Sequence, residues 1–123
     1  MLQALPLRSR LGLVLLVVLF GAATQGVHWW SDQRVGAQVA AQAQPGDIRM
    51  IASATCVYCA EARRWFDAHR VPFSECLIER DANCAGQYAA LMTPGTPLMV
   101  VRGTPLRGFD PRAIADALAS RAL

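Results

Sequence analysis

Ala54-Thr55-Cys56-Val57-Tyr58-Cys59-Ala60-Glu61-Ala62 sets a Cys-x-x-Cys between a short apolar run and a stretch of helical character, and the rest of the chain is organised around it. Ile48 to Ser53 reads as a buried strand, while Ala60, Ala62, Trp65, Phe66 and Ala68 place apolar residues at helical spacing over Cys59 to His69. Cys56 therefore falls at a helix start. There the unpaired backbone N–H groups and the positive end of the helix dipole favour a thiolate, the species that attacks disulfides. Cys59 lies one turn inside the helix, within reach of Cys56, so that one thiol attacks and the other resolves. Zinc ribbons use the same spacing, and two buried thiols would too. The strand before and the helix after favour redox chemistry over metal binding.

Arg8 and Arg10 precede an uncharged stretch that runs from Leu11 to Trp30. As a helix, twenty residues span about 30 Å, the thickness of a hydrocarbon core. Residues 1–31 are therefore expected to form a signal anchor or transmembrane helix. The arginines predict a cytoplasmic N-terminus and a domain on the far, periplasmic side of an inner membrane, with Trp29 and Trp30 at the interface. The alternative is a signal peptide cleaved near Gly21-Ala22-Ala23, leaving a soluble periplasmic protein. No cysteine precedes Cys56, so the segment cannot pass electrons by thiol exchange and serves as a tether. The net charge of +3, with no lysine among twelve basic residues, is too mild and scattered for a nucleic-acid surface.

Residues 32–46, rich in Ala, Gln and Gly, show no apolar period that demands a core and read as a juxtamembrane linker or a continuation of the helix through Val35 and Val39. A single domain is expected over 47–123, in the order strand, helix, strand, helix, strand, strand, helix. The second strand is placed at Val71 to Ile78, the second helix near Asp81 to Leu91, the third strand at Thr96 to Arg102 and a short edge strand at Pro105 to Arg107. Asp110 and Pro111 supply the N-cap and first position of the last helix, whose face of Ile114, Ala117 and Leu118 packs on the sheet.

Pro97 opens a strand that otherwise reads as buried, where a residue without an N–H needs a reason. Cys56-Val57-Tyr58-Cys59 after a strand, Thr96-Pro97 about forty residues later and the Gly108-Phe109-Asp110 turn together resemble the thioredoxin superfamily, and in length a glutaredoxin, over about 48–121. The resemblance implies an α/β fold with a four-stranded mixed sheet and three helices. It also implies a cis peptide before Pro97 that faces the cysteine pair, with the Thr96 backbone bonding an extended substrate. Substrate contacts would fall to Tyr58, Thr96, Pro97, Gly108, Phe109 and Asp110, and catalysis to Cys56 and Cys59. Glutathione is a candidate co-substrate, with the basic side chains Arg63, Arg102 and Arg107 and the turn that carries Asp110 as candidates to hold its carboxylates; no resident cofactor or metal is expected. Val57 stands where glutaredoxins usually carry Pro, and Thr96 where they carry Val. Gly95-Thr96-Pro97 looks more like the Dsb-type periplasmic oxidases and isomerases, but the roughly 36 residues between Cys59 and Thr96 leave no room for their helical insertion.

Cys76 and Cys84 form a second pair, with Asp81-Ala82-Asn83 available to turn the chain back. Outside the cytoplasm a structural disulfide is favoured, stabilising by roughly 2.5 kcal/mol from chain entropy. Two buried thiols, a relay with Cys56–Cys59, and a zinc site built by all four are the alternatives. His69 reads as a helix C-terminal cap and His28 as an interfacial residue. The function expected is exchange with protein thiols and disulfides; a metal or iron–sulfur protein on the same fold, or a non-catalytic adaptor, are its rivals.

Overall fold

The computed structural model describes residues 6–120 and divides between Gln33 and Arg34 into two units. A single helix, α1 (Leu7–Gln42), contributes to both. In the first unit its apolar side chains, among them Leu13, Val17, Phe20 and Trp29, lie exposed. By length and composition this is a helix capable of crossing a membrane, and a signal sequence would share those properties.

The second unit continues with β1 (Ile48–Ala52), α2 (Val57–Ala68), β2 (Ser74–Leu77), α3 (Ala82–Ala90), β3 (Leu98–Val101), β4 (Thr104–Arg107) and α4 (Pro111–Ala119). The sheet order is β2-β1-β3-β4. β1 runs parallel to β2, which requires a crossover, and α2 supplies it. The β1–β3 and β3–β4 pairs are antiparallel, closed between β3 and β4 by Arg102 and Gly103 at positive φ.

β1 is central and buried on both faces. Ile48, Met50 and Ala52 join the larger core with Cys59, Ala62 and Phe66 of α2, Met99 and Val101 of β3, and Ile114, Ala115 and Leu118 of α4. Ile51 points the other way, into a smaller core with Cys84 and Leu98 under α3. The alternation follows from the two-residue period of a strand.

Three local features differ from the sequence expectation. β2 begins at Ser74, not Val71, because Pro72 has no N–H to donate to a ladder. Val71 instead turns inward, its N–H donating to the Phe66 carbonyl at 2.9 Å. β3 likewise begins after Pro97, at Leu98. The stretch 32–46, read as a linker or a continuation of the helix, is that continuation as far as Gln42, and what differs is its packing: Val39 is fully buried, Ala43 nearly so, and Val35 and Ala40 lie against the core. Val35, Val39 and Ala43 stand four residues apart on one helix face. Two valines among alanines and glutamines make too faint a stripe to register as a period.

Candidate exchange site

Cys56 is the N-cap of α2, with extended backbone angles, and its Sγ accepts the N–H of Cys59 at 3.1 Å. The two cysteines are joined as a disulfide with Cα atoms 5.2 Å apart. Their surroundings differ: Cys56 is half-buried, whereas Cys59 has no exposed surface. The helix axis explains the difference, because a cap residue sits at the lip of the domain while a residue one turn in faces the sheet. Val57 and Tyr58, between them, are 70% and 65% exposed and leave apolar surface beside the accessible sulfur.

The Thr96–Pro97 peptide is cis and Pro97 is buried. Its place follows from register: Leu98 is the partner of Ile51, so Pro97 comes level with Ala52, at the end of β1 from which the chain leaves for Cys56. The Pro97 carbonyl accepts the N–H of Gly108 at 3.0 Å, and Gly108 adopts a positive φ that favours glycine there. Thr96 is half-exposed next to it.

Phe109 and Asp110 have internal partners. The Phe109 ring meets Trp65 and Phe66 with centroids 5.7 Å away from each. Asp110 caps α4 by accepting the N–H groups of Arg112 and Ala113. Of the arginines weighed as carboxylate anchors, Arg63 is paired with Glu75. Arg102 is directed inward to Asp47 and to the carbonyls of Gln42 and Leu118. Arg107 is exposed on β4.

Cys76 and Cys84 are joined as a second disulfide, with Cα atoms 6.0 Å apart, under α3 on the opposite face of the sheet from α2. Among the described residues no group of three or more His, Cys, Asp or Glu side chains is arranged to hold a metal ion. Two further residues reach the site's loops, and sequence reading did not single them out. The Glu79 carboxylate accepts the N–H of Ala54, two residues before Cys56, at 3.2 and 3.3 Å from its oxygens. The Tyr88 hydroxyl accepts the N–H of Gly95, two residues before Pro97, at 2.9 Å. Neither has a local sequence signal, since a carboxylate in a connecting segment and a tyrosine on a helix are ordinary surface residues until the chain is folded.

No known protein-family profile matches the chain, and no curated protein is similar to it in sequence. Solved structures are similar in shape. A mutant of a thioredoxin-like protein superposes with a TM-score of 0.54 at 20% identity, covering 60% of this chain and 96% of that one. A buckwheat glutaredoxin bound to glutathione superposes with a TM-score of 0.50 at 15% identity, covering 73% of this chain and 93% of that one. A mutated form of the buckwheat glutaredoxin gives the same TM-score, 0.50, at 14% identity. At these identities the likeness is one of architecture, and it shows that the second unit carries a thioredoxin-like fold of glutaredoxin size.

Proposed function

We propose that the protein is a thiol–disulfide oxidoreductase, with Cys56 as the sulfur that meets substrate and Cys59 as the one that resolves. The observation that carries this reading is the asymmetry of the pair: a half-buried sulfur at a helix N-cap, accepting an amide N–H, joined to a fully buried one. In the reductive direction the Cys56 thiolate attacks one sulfur of a substrate disulfide. That bond breaks and the substrate's other sulfur leaves as a thiolate. Cys59 gives up its proton and attacks Cys56, releasing the second substrate sulfur and closing Cys56–Cys59. Two electrons pass from the protein to the substrate, and oxidation of a dithiol is the same sequence reversed. Thr96 beside the buried cis-proline offers backbone to an extended peptide, and Tyr58 offers an exposed aromatic face.

Protein disulfides are the substrate class we favour, with glutathione as a co-substrate; Arg102 is a weak anchor for its carboxylates because its guanidinium is already bonded internally. The apolar first unit supports a membrane-tethered protein whose second unit works on the periplasmic side, where disulfides persist. Cys59→Ser is expected to accumulate mixed disulfides through Cys56, resolvable on a non-reducing gel, and Cys56→Ser to abolish them together with exchange activity. An unchanged activity in Cys56→Ser favours the adaptor reading instead. The Cys56–Cys59 reduction potential assigns direction: near about −270 mV it is a reductant, near about −120 mV an oxidant.

A further inference from the structure

The second disulfide bounds one contact to the exchange site and anchors the helix that carries another. Glu79 lies inside the loop bounded by Cys76 and Cys84, and its carboxylate holds the Ala54 N–H on the segment leading to Cys56. Tyr88 lies one turn beyond Cys84 on the same face of α3, and its hydroxyl holds the Gly95 N–H on the segment leading to Thr96-Pro97. Cys84 is fully buried, so the bond to Cys76 fixes the start of α3, and with it Tyr88, to the sheet.

The same disulfide is placed to be opened. Cys76 is half-buried and its Sγ accepts from Arg49 Nη2 at 3.5 Å. Among the described residues no carboxylate pairs with Arg49. A cation directed at a disulfide sulfur adds nothing to a purely structural bridge, but it stabilises the thiolate that forms there on reduction.

We infer that Cys76–Cys84 is a reducible latch on the exchange site, with Glu79 and Tyr88 as the positioning residues through which its state is felt at Cys56. The effect on exchange rests on the function proposed above; the opening of the latch does not. A low-molecular-weight thiolate attacks the half-buried Cys76 sulfur, the Cys76–Cys84 bond breaks, and Cys84 leaves and takes up a proton. A second thiolate attacks the mixed disulfide, forming the small-molecule disulfide and freeing the Cys76 thiolate beside Arg49. Two small thiols are oxidised, and one protein disulfide is reduced. With the latch open, the start of α3 is no longer covalently fixed to β2, while the 78–81 segment is left to its backbone bonds to Ala52 and Leu77, and both clamps loosen.

The test begins with a full-length Cys56→Ala/Cys59→Ala variant, equilibrated in glutathione redox buffers and read by alkylation and mass. The folded protein should open Cys76–Cys84 reversibly, and Arg49→Gln should shift the midpoint toward harder reduction. Amide hydrogen exchange should then quicken at Ala54 and Gly95 in the reduced form more than at the β1–β3 ladder. In the chain with Cys56 and Cys59 intact, Cys76→Ser/Cys84→Ser should slow mixed-disulfide formation on the order of tenfold, within the ~10²-fold that a misplacement of about 1 Å can cost. Glu79→Ala and Tyr88→Phe should each reproduce part of that loss, and neither should add to it once the latch is removed. A bridge that yields only when the domain unfolds overturns the inference, as does unchanged hydrogen exchange at Ala54 and Gly95 on opening, or an unchanged Cys56 rate in the folded double variant. Absence of any exchange at Cys56 in the wild-type chain overturns the proposed function instead, and the alkylation and hydrogen-exchange measurements still decide the latch.

Discussion

Arg102 shows how a single side chain can be drawn away from a binding role by its backbone. It sits at a φ of 48° in the β3–β4 turn, a conformation uncommon outside glycine, and the turn sends its guanidinium back over the domain rather than outward. There it donates to Asp47, to the Gln42 carbonyl at the end of α1 and to the Leu118 carbonyl at the end of α4. Its own N–H in turn donates to the Asp47 carbonyl at 2.8 Å. One residue thus joins three segments of the chain, and the ion pair with Asp47 is largely shielded, the two side chains being 18% and 21% exposed. Arg102→Ala removes the donor to the Gln42 and Leu118 carbonyls and breaks the ion pair with Asp47, whose carboxylate keeps the Gln44 N–H, and is expected to lower stability by about 3 kcal/mol, measured by urea unfolding. Arg102→Lys is expected to recover little, because a compact ammonium cannot span the same acceptors as a planar fork. Phe66 plays the equivalent part in the apolar core, with ring centroids 4.7 Å from Phe73 and 5.7 Å from Trp65 and Phe109, and Phe66→Ala is expected to cost about 3–5 kcal/mol in the same assay.

Among the elements, the last turns of α1 and the end of α2 meet through a glycine. A Cβ on Gly36 would collide with the His69 ring, which itself packs at a tilt of 48° against Trp65 with centroids 4.5 Å apart. Glycine within a helix costs up to about 1 kcal/mol relative to alanine, so its use here reflects a close approach. His69 ends α2 as expected, but its ring also forms part of this helix contact, a role that a capping pattern does not reveal. Gly36→Ala should therefore lower the melting temperature despite its better helix propensity. His69→Ala in the same chain should restore it, and a lone Gly36→Ala that stabilises would remove the contact from the account. The strand–helix alternation was legible because β1, α2 and α4 each carry a strong apolar period or a cap, such as Asp110 before Pro111. The Cys-x-x-Cys and Thr96-Pro97 were legible because few backbones call for those residues at those points. Glu79, Tyr88, Gly36 and the buried face of α1 were not. Glu79 and Tyr88 take their meaning from hydrogen bonds to amides 25 and 7 residues away, and no local pattern marks either one. Gly36 takes its meaning from the His69 ring of another helix, which only folding brings close.

For the molecule as a whole, the position of the domain boundary is the part of the architecture that reading by composition places differently from packing. Composition starts the domain at residue 47, after Pro45-Gly46, whereas the second unit begins at Arg34 and includes the final turns of α1. Val39 is fully buried, which is worth about 1.5–3 kcal/mol, and Ala43, Val35 and the Gln42 carbonyl's bond to Arg102 add to it. A chain beginning at residue 34 keeps all of these contacts, while one beginning at 47 exposes the patch on α2 and the sheet that they cover. The first is expected to melt cooperatively, and the second to lose roughly 3–4 kcal/mol, on the order of 15 °C for a domain of this size. Both chains retain the two disulfides and the Thr96-Pro97 segment, so their exchange rates at a temperature where both are folded should agree within about twofold if the α1 turns serve stability alone. A 47-start chain that melts with the 34-start chain would show that the α1 turns rest on the domain without holding it, and the boundary would then belong where composition puts it.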